Sequence, residues 1–257
     1  MNDYLDVTEL SGDDVSSEQV LRCSHRYFWA GHYCKDKDVV EVACGTGPGL
    51  GFLLRQAKSL EAGDISEPIL NIARKYYGNR LPLKKFDACK MPFTDNSKDV
   101  IIIFEAIYYL PDIDKFIDEC TRVLRPDGEI LIATANKDLP EFNPSPYSHN
   151  YYGIIELKEI FQSRNYDTQF YGYLNIRDIS IIQRLLGPLK KIIVSLGLMP
   201  KTMEGKKMLK KLVFGRLTKL PFEIEPNDMD HNLPKKINSN ESNKSYKVIY
   251  CIARKDF

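Results

Sequence analysis

Short apolar runs alternate with stretches of helical periodicity along the first two thirds of the chain. The apolar runs predict five strands, at residues 39–42, 59–64, 83–87, 99–104 and 129–134. Helices are predicted between them, at residues 48–58, 66–77 and 113–124. The run DVIIIF at 99–104 is the most apolar, which is typical of a strand covered on both faces. Because parallel neighbours need crossover helices, this alternation predicts an α/β fold with a doubly wound, mostly parallel sheet.

The two ends of the chain extend this pattern. Residues 16–34 predict a leading helix in which Ser16 and Gln19 fit a capping box. Residues 156–174 predict a further helix and a sixth strand, and residues 245–255 alternate as a last strand. We therefore expect an N-terminal helical cap at 1–34, a ligand-binding domain at 35–174 and 246–257, and an insertion at 175–245.

The insertion is too long for an ordinary loop. Its first half reads as helical and is rich in lysine and arginine, with only Asp178 and Glu204 as acids up to residue 219. A lid over the site is the interpretation we favour, because an insertion before the last strand of such a sheet lies near the rim of the site. A basic face for an anionic substrate or a membrane surface, and a homodimer contact, are the alternatives. The basic bias is compatible with a phosphorylated or nucleotide-linked small molecule.

Special residues stand where successive predicted strands end. Glu41 precedes a turn of small residues, Asp64 and Asp87 end the next two strands, and Phe104 and Glu105 follow the fourth. Ligands of doubly wound sheets lie beyond the carboxyl ends of the strands, so we expect these residues to line one site. Each acid also has a structural alternative. Asp64 could cap the next helix, Asp87 could form a turn, and Glu41 could be a purely structural acid.

The turn after the first strand, ACGTGPG, narrows the choice of ligand. A glycine-rich turn followed by an acid about 20 residues later suits dinucleotides, whose fingerprint is G-x-G-x-x-G. Here Gly45 and Gly47 are followed by Leu50, which breaks that spacing. Pro48 also removes a backbone donor from the place that a pyrophosphate would use. S-adenosylmethionine (SAM), which carries no pyrophosphate, is the other cofactor class that uses such a turn.

Several ordered motifs resemble those of class I SAM-dependent methyltransferases. VVEVACGTGPG resembles the family's first motif with Ala43 in place of its first glycine, and GDIS, FDACKMPF, DVIIIFEAIYYLPD and VLRPDGEILIAT resemble later motifs. The resemblance covers roughly residues 35–135. It implies a Rossmann-like sheet of seven strands with an antiparallel last strand, and SAM as the cofactor. The cofactor-binding residues we predict are Tyr27, Glu41, Ala43, Gly45, Gly47, Asp64, Ile65, Asp87, Ala88, Phe104 and Glu105.

The chemistry of these side chains suits an adenosine ligand. A carboxylate such as Asp64 can accept from both ribose hydroxyls, each bond contributing on the order of 1.5–3 kcal/mol. Asp87 could accept from the adenine amine, with Ile65 and Met91 as apolar cover for the ring. Glu41 could favour the cationic end of SAM or organise the turn. Arg26 is a candidate partner for the methionine carboxylate.

Methyl transfer from a sulfonium mainly requires alignment, and no catalytic motif is obligatory. A hydroxyl acceptor would be helped by a general base, for which His149 is the first candidate and His25 the second. Tyr109 stands where relatives often carry a histidine, and its high ordinary pKa suits it to orienting the acceptor. We expect an oxygen acceptor first and a nitrogen acceptor second, on a sugar or secondary metabolite.

Composition excludes several other classes. The formal net charge of the 257 residues is +1, which favours no nucleic-acid partner. The six cysteines lack zinc-binding spacing, so we expect no metal and a reducing cytoplasmic setting. The acidic start lacks the pattern of a signal peptide, and no apolar run reaches the roughly 20 residues of a membrane span. A nicotinamide-dependent oxidoreductase and a non-catalytic SAM-binding module remain the rival functions.

Overall fold

The structure, a computed structural model, describes residues 4–178, 217–228 and 230–255. Its α-helices are α1 (Ser17–Cys34), α2 (Leu50–Leu54), α3 (Glu67–Tyr77), α4 (Ile113–Val123) and α5 (Ile154–Gln162). Its strands are β1 (Asp14–Ser16), β2 (Asp38–Val42), β3 (Ser59–Asp64), β4 (Leu83–Lys85), β5 (Lys98–Phe104), β6 (Leu124–Ala135), β7 (Tyr166–Asn175), β8 (Leu217–Lys219), β9 (Lys235–Lys236) and β10 (Tyr246–Lys255).

The main sheet has the order β4-β3-β2-β5-β6-β10-β7-β9. Strands β4, β3, β2, β5 and β6 pair in parallel, and β10 pairs antiparallel with both β6 and β7. The doubly wound, mostly parallel sheet with an antiparallel last strand is therefore confirmed. The two-residue strand β9 adds an eighth strand at one edge. Its residues lie in a polar stretch, where no alternation of apolar and polar residues predicts a strand.

Both faces of the sheet are covered. On β2 and β5, Val39 and Ile102 belong to one apolar cluster, whereas Val40 and Ile101 belong to the other. Helices α1 and α2 contribute to the first cluster, and α4 and α5 contribute to the second. Alternating residues point to opposite faces of a strand, so burial on both faces explains the unbroken apolar run of β5.

Local signals in the sequence agree with the structure at the start of α1, whereas several element boundaries differ, and β4 ends at Lys85 and not at the predicted Asp87. The capping box of α1 is confirmed, since the Gln19 backbone N–H donates to the Ser16 hydroxyl and the Ser16 N–H donates to the Gln19 side chain. The helix predicted at 48–58 is only α2, with Gly49 as its N-cap. Strand β6 begins at Leu124 and not at the predicted residue 129, and the pairing of its first residues with β5 shifts register.

The helices predicted within the insertion fall on residues 179–216, outside the described residues. The described part of the insertion pairs with the N-terminal segment and with the main sheet. Strand β8 pairs antiparallel with β1, and β9 pairs with β7. In the described ranges, no helix combines the length and the apolar character that crossing a membrane would require.

Candidate cofactor and acceptor site

The elbow that joins β2 to α2 has a left-handed backbone at alternate positions. Ala43, Gly45 and Gly47 have φ values of 51°, 60° and 71°. Glycine adopts this conformation without strain, whereas alanine does not. A Cβ built on Gly45 would meet nothing nearer than the Thr8 methyl carbon at 3.8 Å, so the space above this glycine is open. The elbow therefore presents bare backbone at the carboxyl edge of the sheet.

Asp64 connects the end of β3 to this elbow. One carboxylate oxygen accepts from the Gly45 N–H at 2.9 Å, and the other accepts from the Ser66 N–H at 2.8 Å. The side chain is buried, and burial raises the pKa of Asp64, although both N–H donors oppose that shift. The bond to Ser66 fits the structural alternative for Asp64. The bond to Gly45 brings the acid onto the elbow, where the sequence predicts it.

Glu41 lies beneath the elbow and is 1% exposed. Its Oε1 accepts from the Tyr27 hydroxyl at 2.7 Å, whereas its Oε2 is buried and has no hydrogen-bond partner among the described residues. Burial raises the pKa of Glu41 to about 7, against the opposing effects of Tyr27 and Arg26. An unpaired buried carboxylate oxygen is costly, and a cationic or N–H-bearing ligand would satisfy it.

Tyr27 is held in place by a glycine that the sequence analysis did not single out. A Cβ on Gly49 would lie 2.0 Å from the Tyr27 ring, so only glycine allows this contact. The ring also meets Phe104 edge-on, with centroids 5.4 Å apart. Tyr27 is 1% exposed and therefore acts on the elbow through Glu41. Its direct contact with a ligand stays a prediction.

Arg26 projects from α1 among these groups. Its guanidinium carbon lies 5.5 Å from the centroid of the Tyr27 ring and 6.0 Å from that of Phe104. Its hydrogen bond is to the Cys23 sulfur at 3.5 Å, and within the described residues it forms no ion pair with a carboxylate within 4.0 Å. A guanidinium without a carboxylate partner fits the predicted role of binding the methionine carboxylate.

The predicted adenine segment forms a turn after β4. The exposed Asp87 accepts from the Cys89 N–H at 2.8 Å, as its structural alternative predicts. Ala88 and Met91 are buried nearby, and Ile65 is half-buried after β3. These positions are compatible with the adenine role, which stays a prediction.

The two predicted catalytic residues lie on segments that contact each other. The backbone N–H of His149 donates to the Tyr108 carbonyl at 2.8 Å, and its side chain is exposed. The Tyr109 hydroxyl hydrogen-bonds the Ser145 hydroxyl on the same loop as His149. Burial raises the pKa of Tyr109, which agrees with an orienting role and not with that of a base. The role of His149 as a base stays a prediction.

His25, the second candidate base, is a structural residue. Its side chain is fully buried and stacks on Tyr173 with ring centroids 3.4 Å apart. Its Nε2 lies 2.7 Å from the Asn232 carbonyl oxygen, so Nε2 carries the proton, and Nδ1 accepts from the Tyr250 hydroxyl at 2.7 Å. Burial lowers the pKa of His25. With both ring nitrogens occupied, His25 cannot take a proton from an acceptor.

The N-terminal segment crosses the site, which the sequence did not predict. The Ser11 hydroxyl lies 2.8 Å from the Thr46 hydroxyl in the elbow, and Thr8 lies above Gly45. Tyr4 meets Tyr109 edge-on at 5.5 Å between ring centroids. The segment therefore bridges the cofactor elbow and the predicted acceptor side. Isolated hydroxyls and one tyrosine leave no periodic pattern that could have indicated this contact.

Comparisons with known proteins agree with this geometry. A methyltransferase domain family matches residues 40–132. A protein of Mycolicibacterium smegmatis named as a probable SAM-dependent methyltransferase is 29% identical over 144 residues, which are 54% of this chain and 55% of that protein. A fatty-acid O-methyltransferase of the same organism is 32% identical over 111 residues, 41% of this chain and 40% of that protein. The matches span about half or less of these curated relatives.

The fold extends further than the sequence matches. The solved structure of a SAM-dependent methyltransferase from Thermotoga maritima superposes with a TM-score of 0.58 at 14% identity, covering 93% of this chain and 92% of that one. This likeness concerns the fold, whereas the matched domain covers the elbow, Asp64 and Asp87. The matched methyltransferase domain, the related SAM-dependent methyltransferases and the shared fold together indicate a class I SAM-dependent methyltransferase.

Proposed function

We propose that this protein transfers the methyl group of SAM to an oxygen or nitrogen atom of a small molecule. The observation that carries the proposal is the contact between Asp64 and the elbow, through the 2.9 Å bond from the Gly45 N–H. It brings an acid that can accept from ribose hydroxyls beside a stretch of open backbone. Glu41, with its unpaired buried oxygen, lies beneath the same elbow.

The residues of the elbow fit SAM better than a dinucleotide. A pyrophosphate is disfavoured because Leu50 replaces the third glycine of the dinucleotide fingerprint and Pro48 removes a backbone donor. SAM needs neither feature, and its sulfonium and ammonium groups suit the buried Glu41 carboxyl group. Arg26 supplies the complementary charge for the methionine carboxylate. Bound SAM supplies an activated methyl group on sulfur, and the chain's own residues hold and align it. The structural alternatives for Asp64 and Asp87 do not conflict with these roles, since each carboxylate oxygen can accept more than one hydrogen bond.

On the acceptor side, we propose that Tyr109 orients the acceptor and that His149 takes a proton from a hydroxyl. The hydrogen bond between the Tyr109 and Ser145 hydroxyls and the bond from the His149 N–H to the Tyr108 carbonyl support this pairing, because both connect the loop to the segment that follows β5. A sugar or secondary metabolite remains the substrate class we favour. The relative named as a fatty-acid O-methyltransferase adds a lipid carboxylate as a second acceptor class.

The direct test is a labelled-methyl screen. The full chain is incubated with SAM carrying an isotopic methyl group and with fractions of a cell extract, and labelled products are identified by mass spectrometry. We expect label in a small-molecule fraction, and its loss in the Asp64→Ala variant. Asp167→Ala is the matched control, because Asp167 is exposed near the start of β7, at the opposite edge of the sheet. A protein that binds SAM but labels no fraction would be the non-catalytic module instead.

A further inference from the structure

Glu105 occupies a strained position immediately after β5. Its φ is 50°, in the left-handed region, where a residue with a side chain costs on the order of 1–2 kcal/mol. Its N–H donates to the Ala133 carbonyl at 2.7 Å, so the backbone continues the pairing of β5 with β6 while the chain turns. This strain at the carboxyl edge of the sheet raises the question of what the Glu105 side chain does there.

The carboxylate of Glu105 is held in one orientation but can still accept further hydrogen bonds. Oε1 accepts from the Arg22 guanidinium at 3.0 Å, and Oε2 accepts from the Tyr108 hydroxyl at 3.3 Å. Within the described ranges these are its two hydrogen-bond donors, whereas an ionised carboxylate can accept about four bonds. The side chain keeps 18% of its surface exposed. Arg22 therefore fixes the orientation of the carboxylate and leaves it able to bind a further donor.

Five aromatic rings, which we name the aromatic wall, extend from Glu105 along the acceptor side of the site. In order of contact they are Tyr4, Tyr109, Tyr108, Tyr151 and Phe142, with neighbouring ring centroids 4.2–5.5 Å apart. All except Tyr108 are partly exposed. Burial, and then the Glu105 charge, raise the pKa of Tyr108, so this ring stays neutral.

We propose that Glu105 and the aromatic wall bind the methyl acceptor through a cationic amine, which makes the transferred methyl group an N-methyl group. Ring faces and a carboxylate both attract an ammonium ion, and their combination is a known way of recognising amines. A carboxylate acceptor would gain nothing from the ring faces or from Glu105. A hydroxyl acceptor could bond Glu105, but it would gain nothing from the ring faces. This proposal rests on the proposed function and moves Glu105 from the cofactor side to the acceptor side.

The reaction then balances simply. The ammonium held by Glu105 first loses a proton to His149, the base proposed above, and this frees the nitrogen lone pair. That lone pair forms the new N–C bond, while the C–S bond breaks and its electrons stay on sulfur, giving S-adenosylhomocysteine. The product is an N-methylammonium ion, so the Glu105 carboxylate faces a cation both before and after transfer.

The test uses matched probes with the full chain and labelled SAM. The probes are 2-phenylethylamine and 2-phenylethanol, together with octylamine, octanol and octanoate. We expect label on the amines only. Glu105→Gln should raise the amine KM by about tenfold or more, the loss expected of a charge-assisted bond, while the Kd for SAM changes less than about twofold. Glu105→Asp keeps the charge and suits the left-handed backbone, so it should recover part of the affinity.

The control is Glu159→Gln, a change at an exposed position of α5 that should alter neither constant. Label only on an alcohol or on octanoate, an unchanged amine KM in Glu105→Gln, or absence of label on every amine would overturn the amine proposal. Equal losses of SAM and amine affinity in Glu105→Gln would also overturn it, because Glu105 would then serve the cofactor. Failure of the unmodified protein to bind SAM would instead refute the proposed function itself.

Discussion

Replacement of Glu41 by glutamine should change the pH dependence of stability. Glu41 is almost completely buried, and one of its oxygens has no partner among the described residues. Burial raises its pKa from 4.5 to about 7, with Asp64 adding to the rise while Tyr27 and Arg26 oppose it. The folded protein therefore holds a proton on Glu41 at pH values where the unfolded chain has lost it. Glutamine keeps the shape of the side chain and removes this titration.

The magnitude follows from the shift. At about 1.4 kcal/mol per pH unit, a pKa that rises from 4.5 to about 7 lowers the free energy of unfolding by about 3 kcal/mol once both states are ionised. The stabilising contribution is complete below pH 4.5 and is lost as pH rises through about 7. The difference in unfolding free energy between Glu41→Gln and the unmodified protein should therefore grow by about 3 kcal/mol from pH 4.5 to pH 8.

The assay is urea unfolding at half-unit pH steps, followed by circular dichroism. Glu119→Gln is the matched control, and its pH dependence of stability should have the opposite sign, because hydrogen bonds from Arg122 lower the pKa of Glu119. Its contribution is present above the unfolded pKa and is lost as pH falls, so that variant should differ most from the unmodified protein at neutral pH. Parallel stability curves for Glu41→Gln and the unmodified protein between pH 4.5 and 8 would refute the burial argument.

Three further substitutions test the site. Asp64→Ala should weaken SAM binding by roughly 10- to 100-fold in calorimetry and also lower stability by about 1–2 kcal/mol, because the Gly45 and Ser66 N–H groups lose their acceptor; unchanged affinity would remove Asp64 from the site. Ala43→Gly should raise the unfolding free energy by up to about 1 kcal/mol, because φ is 51° there and glycine adopts this conformation without strain. A loss of stability would show that the Ala43 backbone is not strained. His149→Ala should reduce turnover far more than SAM affinity, and unmodified turnover would show that His149 is not the base.

The sheet and the cofactor edge could be predicted because their signals are local. An apolar run such as DVIIIF, a turn that needs left-handed backbone, and an acid at the end of a strand each depend on neighbours in sequence. The bond between Asp64 and Gly45 joins residues only 19 positions apart, inside one β-α-β unit. Regular topology then places the remaining strand ends beside them.

Contacts between distant segments could not be predicted. The structural role of His25 depends on its hydrogen bond to Asn232, which lies 207 positions away along the chain. The sequence does not reveal this bond, so His25 stayed a candidate base. The contact of Ser11 with Thr46 is a second example, because single hydroxyl groups leave no periodic pattern. Strand β9 could not be predicted for the same reason. Its two lysines pair with β7 because the folded sheet presents an edge there, and not because their own sequence favours a strand. Such contacts depend on the folded surface and not on local propensity.

The most direct test of the account is a calorimetric titration of the full chain with SAM and, separately, with NADH. The elbow should bind SAM with a single site per chain and leave NADH unbound, because Pro48 removes a backbone donor for the pyrophosphate and Leu50 replaces the third glycine of the dinucleotide fingerprint. The Asp64→Ala variant should bind SAM more weakly, and the Asp167→Ala control should not differ from the unmodified protein. Tight binding of NADH without binding of SAM would contradict the central claim.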